Sequence, residues 1–421
     1  MQQWLERWAE NARGARRYLA VFFKWAVVAA ACGAVCGAVG AAFYHAVALA
    51  TSLRTAHPWL LFLLPAAGLA IVGLYHLAGV LKDEGTNLIL ASIHTDRKPP
   101  LRMAALIFTG TALTHLCGGS SGREGAALQI GGSLGNAVAA RLHLDDKDHI
   151  TLTMCGMSAV FCAVFGTPLT AALFSLEVVS VGIWHYSALL PCLISSIAAH
   201  QVATWLGAQP EAYLITVTKP LSVAQNWRVM LVAALCAAVG ILFCCALHGA
   251  AHLYQRFLKN PYARAAAGGV LMAAFALAAG RDYTGAGMHV IERALDGECA
   301  PWAFLLKIAA TALTLGAGFK GGEIVPAFFV GATFGCALGN LLHLDAGFAA
   351  AIGLIAVFCA VVNCPVASIV LSIELFGADN LVLFALAAAV SYLLSGPYSL
   401  YATQSLPYSK LEPRYVDRHT R

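Results

Sequence analysis

The sequence predicts an all-α polytopic membrane protein assembled from two repeats. Three observations carry that prediction. Sixty percent of the 421 residues are hydrophobic and 11% are charged, against roughly 25% charged in an average soluble domain. A chain this apolar cannot cover a soluble surface. Long apolar runs, Tyr18 to Leu53, Trp59 to Val80 and Leu381 to Leu394, suit membrane helices, which need about 20 apolar residues. Finally, one block occurs twice, 200 residues apart: Gly122 to Asp145 reads GREGAALQIGGSLGNAVAARLHLD, and Gly321 to Asp345 reads GGEIVPAFFVGATFGCALGNLLHLD. Such a duplication in a membrane protein implies two structural repeats with a binding site between them. A β-barrel does not suit the chain, because period-two alternation is absent.

The N-terminal stretch, residues 1–17, carries Trp4, Leu5 and Trp8 among charges and reads as a short interfacial or cytoplasmic segment. The first apolar run is too long for a signal peptide and lacks a small-residue cleavage site. Residues 18–394 form the transmembrane part. The net charge of +5 comes largely from the ends: Arg7, Arg13, Arg16, Arg17 and Lys24 before or in the first run, Lys410, Arg414, Arg418 and Arg421 after the last. Positive residues beside spans favour the cytoplasm, so both termini are expected there, with an even number of crossings.

The first repeat is expected over about 81–179 and the second over about 281–376. Gly85-Thr-Asn-Leu-Ile lies over Gly285-Ala-Gly-Met-His, and Ala159-Val-Phe-Cys-Ala-Val over Ala356-Val-Phe-Cys-Ala-Val. Three polar connectors are expected: His94 to Arg102, Gln209 to Asn226 and Lys259 to Arg264. Many apolar segments are short or broken by Gly and Pro, which suits tilted or partial helices buried in protein or lining a cavity. Residues 395–421 form the tail, too short for a soluble regulatory module. The 13 cysteines show no CxxC spacing and read as small buried hydrophobes.

The glycines of the two copies serve two purposes. Gly131 with Gly135, and Gly331 with Gly335, are spaced for close helix contact. The clusters before Glu124 and Glu323 precede helices and let the backbone turn sharply. They leave N–H groups unpaired at helix starts, and with the helix dipole these make an anion site. An ionised group at the bilayer centre costs roughly 2.5–3.5 kcal/mol or more, so the acids there need a reason. Arg123 and Glu124 either neutralise each other, although adjacent helical residues do not face one another, or Glu124 is a working carboxylate. Ionised, it competes with an anion for the same N–H donors; protonated, it leaves, which links proton and anion fluxes. Lys320 and Glu323, three apart, suit a coupling or structural pair. Glu177 and Glu374 read as caps of neighbouring backbone or as water-facing. His115 reads as a hydrogen-bonded core or interface residue, and His143 and His343 as helix-end punctuation.

At these residues the chain resembles the CLC family of anion channels and proton-coupled anion antiporters. Gly122-Arg-Glu-Gly-Ala126 is similar to that family's GREGP motif, with Ala126 for the proline. Gly322-Glu-Ile-Val-Pro326 stands where the family has GxFxP, and Gly85-Thr-Asn-Leu-Ile89 where it has GSGIP. The resemblance implies a CLC-type fold of two inverted repeats and a homodimer with one pore per subunit. It implies Glu124 as the gating and proton-transfer residue and Tyr401 at the inner anion site. Backbone or side-chain groups of Thr86, Asn87, Gly122, Arg123, Gly125, Glu323 and Ile324 would face the anion. Lys320-Gly-Gly-Glu323, Asn87-Leu-Ile89 and Ser395-Gly396 through Tyr401 to Gln404 are similar to the bacterial fluoride/proton antiporter branch. Val178 stands where many chloride/proton exchangers carry an inner proton glutamate. Thr86 and Val325 depart from the fluoride pattern, and a Thr hydroxyl can donate to either halide.

The expectation is therefore a proton-coupled fluoride exporter in a bacterial inner membrane. The alternatives are a chloride-selective channel or chloride/proton antiporter of the same fold, or an unrelated neutral-solute transporter. The expected partners are fluoride or chloride, protons, lipid and a second copy. No cofactor, metal, nucleic acid or enzymatic activity is expected, since no nucleophile–base or metal constellation is present.

Overall fold

The protein, described by a computed structural model over residues 2–80, 83–95, 97–209, 223–412 and 414–420, is helical almost throughout. For residues 2, 3, 5–13 and 223–225 only the backbone is described. The first half runs α1 (Gln2–Ala56), α2 (Leu64–Leu77), α3 (Thr86–His94), α4 (Arg102–Leu116), α5 (Glu124–Arg141), α6 (Asp146–Phe165), α7 (Pro168–Glu177) and α8 (Leu189–Trp205). The second runs α9 (Val223–Phe257), α10 (Pro261–Ala279), α11 (Met288–Leu295), α12 (Ala303–Gly316), α13 (Ile324–Leu341), α14 (Ala346–Val362), α15 (Pro365–Phe376) and α16 (Leu381–Leu394). Among the described residues seven helices are long and apolar enough to cross a membrane, and four shorter ones are apolar. The tail adds one small antiparallel hairpin, β1 (Ser405–Tyr408) with β2 (Tyr415–His419), to the expected all-α chain.

The duplication reaches further than the sequence motifs do. Helices α1–α8 recur in order as α9–α16, so the repeats extend beyond 81–179 and 281–376. Residues 181–280 hold the last helix of one repeat and the first two of the next. The outer helices present many side chains to lipid, where any apolar residue serves, so their sequences diverged while the central motifs did not. Residues 2–17 do not form a separate interfacial helix; they continue into the first membrane helix without a break. Most of the connector expected over 209–226, and Leu81 at the expected start of the first repeat, lie outside the described residues, as does Arg421.

The repeats are inverted. Lys24, well inside α1, binds Asp148 at the start of α6, and Lys98 binds Asp146 at 2.9 Å. The end of α5 therefore lies at the level of Lys24 on α1. In the second repeat, Arg228 near the start of α9 donates to His343 O at 3.4 Å, beyond the end of α13. Thr403 of the tail bonds Asn87, whose loop leads by α3 to the connector carrying Lys98.

Small residues set the helix spacing. A Cβ on Gly131 or Gly135 would overlap the backbone of Gly156 or Leu152 of α6, and one on Gly331 or Gly335 the backbone of Gly353 or Ala349 of α14. The packing expected of these pairs is therefore what draws α5 onto α6 and α13 onto α14. The matched corners are punctuation as expected: His143 and His343 take φ of 53° and 52°. Asp145 and Asp345 then cap α6 and α14 through Asp148 N and Phe348 N, each at 2.8 Å. Between the repeats lies a chain of aromatic contacts, Phe174–Phe358 at 5.8 Å, Phe358–Phe328 at 5.2 Å and Phe328–Phe165 at 5.6 Å.

Glu177 and Glu374 tie the repeats together reciprocally. Glu177 accepts Val366 N and Ala367 N at 3.1 and 2.8 Å, at the start of α15. Glu374 accepts Leu169 N and Thr170 N at 2.9 and 2.8 Å, at the start of α7. Each carboxylate satisfies helix-start donors that have no partner in their own helix. Charge-assisted bonds of this kind contribute about 1.5–3 kcal/mol each. Glu177→Ala and Glu374→Ala are expected each to destabilise the fold by about 2–4 kcal/mol, and Glu177→Gln by less. Thermal unfolding in detergent checks this; an unshifted midpoint for both alanine variants would show the ties to be idle.

Candidate functional site

The centre of the molecule is the meeting point of two helix starts. Gly122 N donates to Gly322 O and Gly322 N to Gly122 O, both at 2.7 Å. The loops before α5 and α13 are thereby paired across the pseudo-twofold axis. Glycine is required at Gly322, where a Cβ would meet Gly125 N at 2.5 Å, and space is tight at Gly122, where one would stand 3.1 Å from Val325 and Pro326 and displace Glu124 Oε2. The first intrahelical bonds are Ala127 N to Arg123 O at 2.9 Å and Ala327 N to Glu323 O at 3.1 Å. Upstream, the N–H groups of Glu124, Gly125, Ala126, Ile324 and Val325 have no helical partner, and Pro326 has no N–H. Two positive helix ends thus converge where the chain is buried.

Glu124 is fully buried. Its Oε2 accepts Arg123 N at 3.0 Å, and its Oε1 lies 3.4 Å from Arg123 Nε with no hydrogen-bond partner. The adjacent pair thus does come together, contrary to the rule for neighbours on a helix. Arg123 is the residue before the helix, with φ −117°, so its side chain is not on the helical spiral. Its guanidinium also stands 4.8 Å above the Tyr44 ring. The Glu124 carboxylate lies against Gly122, where the nearest atoms of α13 are those of Val325 and Pro326. Conversely, the Glu323 carboxylate lies against Gly125 of α5, with Oε2 buried and unpartnered. Glu323 thus reaches onto the other repeat, whereas Glu124 is held by Arg123 of its own.

Glu323 and Glu124 differ in access. Glu323 lines a cavity of about 860 Å³, together with Gly85, Thr86, Asn87, Gln129 and Lys320. Glu124 does not line it. Thr86 Oγ1 accepts Gln129 Nε2 at 3.2 Å and approaches Gly125 O at 3.4 Å. Asn87 turns its amide oxygen to Thr403 N and Oγ1 at 3.1 and 3.0 Å. Ile324 is fully buried at the start of α13. Tyr401 is fully buried with its Oη unpartnered, within electrostatic reach of both Glu323 and Glu124. Its backbone is fixed by Ser399 Oγ at 3.2 Å and by Thr420 Oγ1 at 2.6 Å. Gln404 anchors the turn to Val178 O and Val362 O at 3.0 and 2.8 Å. The structure therefore gathers Thr86, Gly122, Arg123, Glu124, Gly125, Glu323, Ile324 and Tyr401 around one junction, with Asn87 at the cavity edge.

Lys320 does not pair with Glu323. Its Nζ bonds Asp83 Oδ2 at 2.6 Å and lies 4.4 Å from the Tyr75 ring centre. Residue 320 lies ahead of α13 in the Gly-rich loop, so helical i, i+3 spacing does not apply there. Asp83 Oδ1 accepts Gly85 N at 2.9 Å. One carboxylate therefore joins the Lys320 loop to the Gly85 turn, which has φ 59°. Sequence reading missed Asp83, Gln129, Arg54 and Lys307. Gln129 and Lys307 were visible as lone polar residues in apolar runs, and Lys307 in particular is an ionisable group inside a membrane helix.

Residues 78–396 match the family model described as voltage gated chloride channel. The chain belongs to the CLC family. It is 40% identical over 398 residues to a chloride/fluoride channel protein of Pseudomonas syringae pv. tomato, covering 92% of this chain and 87% of that one. It is 27% identical over 340 residues to a proton/chloride exchange transporter of Vibrio vulnificus, covering 75% and 72%. A solved CLC-type fluoride/proton antiporter superposes with a TM-score of 0.88 at 31% identity, covering 91% of this chain and 98% of that one. A slow cyanobacterial chloride/proton antiporter shares the fold, with TM-score 0.74 and 19% identity over 88% and 94%.

The Asp83–Lys320 pair is largely buried, at 12% and 15% side-chain exposure. Breaking such a pair from one side typically costs about 3–5 kcal/mol, whereas replacing both partners costs far less. Asp83→Asn and Lys320→Met are each expected to lower thermal stability and anion flux, and the double variant to recover most of the loss. A double-mutant cycle checks this; additive losses would show that the two side chains act apart.

Proposed function

We propose that this CLC protein exports fluoride in exchange for protons, with Glu124 as the group that alternates between the two ions. The observation that carries this reading is the convergence of unpartnered buried oxygens, Glu124 Oε1, Glu323 Oε2 and Tyr401 Oη, on two helix starts. Helix-start N–H groups replace part of a small anion's hydration shell. Ionised, Glu124 folds back onto the Arg123 N–H and occupies that end. A proton on its carboxylate removes the competition, and the side chain yields to an anion. Proton entry and anion exit then share one site and cannot run independently. Glu323, open to the cavity, is the acid on the other side of the junction, where a proton would leave.

The likeness to the chloride/fluoride channel protein of Pseudomonas and to the solved fluoride/proton antiporter, the latter at 31% identity, supports fluoride as the anion. Fluoride is the more strongly hydrated halide, and the junction offers it N–H, hydroxyl and Arg groups within a small space. Thr86 favours the second reading, a chloride transporter, because its hydroxyl stands at the cavity wall and its contact to Gly125 O, at 3.4 Å, is long. Lys24 and Lys98 both bind the start of α6, and positive residues beside spans favour the cytoplasm, which supports a cytoplasmic position for both termini and for the large cavity. The protein would work as a homodimer in a bacterial inner membrane, each subunit with its own path.

Proteoliposome flux tests this. Fluoride efflux is expected to be accompanied by proton uptake and to exceed chloride efflux at least tenfold, about 1.4 kcal/mol of discrimination. Glu124→Gln is expected to abolish the proton movement. Fluoride efflux that moves no protons and is unaffected by Glu124→Gln would sink the exchange mechanism. Faster chloride than fluoride flux would select the second reading.

A further inference from the structure

Three basic side chains lie on the far side of the junction from the large cavity, and the exchange mechanism uses none of them. Lys307 of α12 is fully buried. Its Nζ donates to Gly285 O and Tyr283 O at 2.7 and 3.3 Å and lies 5.1 Å from the Phe329 ring centre. Arg54, at the end of α1, packs against Gly285 and Gly118, and its Nη1 is buried without a partner. His115 is 1% exposed; its Nε2 lies 3.3 Å from Gly122 O, and its Nδ1 is buried without a partner. Arg54 is close enough to act electrostatically on both others. Among the described residues neither Arg54 nor Lys307 has a carboxylate partner. Carbonyl oxygens satisfy the ammonium's N–H groups but not its net charge, and buried charge is costly without a counter-charge.

The inverted repeat says what the position means. Across the Gly122–Gly322 axis, Lys307 is the counterpart of Ile107, His115 of Leu315 and Phe329 of Gln129. Gly118 and Gly285, which flank Arg54, are the counterparts of Gly318 and Gly85. All five counterparts line the large inner cavity. The basic cluster therefore occupies the outer repeat's version of the space through which an anion reaches the junction from inside. The geometry points to a second anion station there, on the extracellular side of Glu124, which holds one small halide between Arg54 and Lys307. Arg54 Nη1 supplies a free donor and Lys307 its remaining N–H, while His115 flanks the site beside the Gly122 carbonyl. An anion displaced from the junction would find its counter-charge here. This rests on the reading that anions pass Glu124.

Side-resolved flux separates the station from a purely structural tie of the outer loop. Fluoride transport is measured with a fluoride electrode in right-side-out and inside-out membrane vesicles, for the full-length protein and for Arg54→Gln, Arg54→Lys and Lys307→Met. Arg54→Gln and Lys307→Met are expected to raise the KM for fluoride offered from the outer side at least tenfold. The KM from the inner side should stay within twofold, and Arg54→Lys should recover most of the outer affinity. Equal KM shifts from both sides, a loss of maximal rate alone, or no shift would overturn the station. If Lys307→Met fails to insert, the two Arg54 variants decide alone. Wild-type vesicles that carry neither fluoride nor chloride would instead sink the transport reading itself, a result plainly different from an unshifted KM.

Discussion

Two hydrogen bonds between Gly122 and Gly322, each 2.7 Å, are the constraint on which the rest depends. A Cβ on Gly322 would meet the backbone of Gly125 at 2.5 Å, and one on Gly122 would stand 3.1 Å from Val325 and Pro326, so each backbone runs close to the other repeat's helix start. Once the loops are paired, α5 and α13 must begin side by side and point in opposite directions. Their unpaired N–H groups then share one buried volume, and both positive helix ends act on it. The flanking packing serves that arrangement. Gly131 and Gly135 hold α5 against α6, their counterparts hold α13 against α14, and the Glu177 and Glu374 ties keep α7 and α15 in register.

The scaffold is symmetric, but the charges on it are not. Arg123 and Glu323 occupy equivalent positions, each the last residue before its helix. The acid on the first repeat therefore stands one residue later, inside the helix, at Glu124. That single-residue offset gives the two carboxylates different surroundings. Glu124 is enclosed and held by the Arg123 backbone and guanidinium; Glu323 sits on the wall of the cavity. In an inverted repeat, two acids at strictly equivalent positions would face opposite sides in matched surroundings. The offset makes those surroundings differ, one acid enclosed and the other on the cavity wall.

Much of the centre was legible in the sequence, because close backbone approach and helix starts are written in glycines and charges. The Gly122–Glu124 and Gly322–Ile324 segments, the His143 and His343 corners and the two capping glutamates were all readable that way. Other features were not. The pairing of Lys320 with Asp83 spans 237 positions and has no local signature, while Glu323, three residues away, offers a false one. The Arg123–Glu124 contact contradicts helix spacing, because the helix starts one residue later than the charge pattern suggests. The full extent of the repeat was hidden because the lipid-facing helices preserve only apolar character.

The tail shows how a residue with a short reach can serve a buried site. Tyr401 lies beyond the last helix, where a chain end would ordinarily be loose. Here Gln404 bonds carbonyls at the ends of α7 and α14, one from each repeat. Ser399 and Asn363 both donate to the Gln404 amide oxygen, at 2.9 and 3.1 Å. Thr420, after the hairpin, closes on the Tyr401 carbonyl. The phenol is therefore positioned by backbone from both halves rather than by its own contacts, and its hydroxyl is left without a partner. An Oη bonded to protein would lose that partner whenever an ion entered. On the proposed exchange, fixing the main chain and sparing the hydroxyl would let the group meet an anion without breaking a bond first.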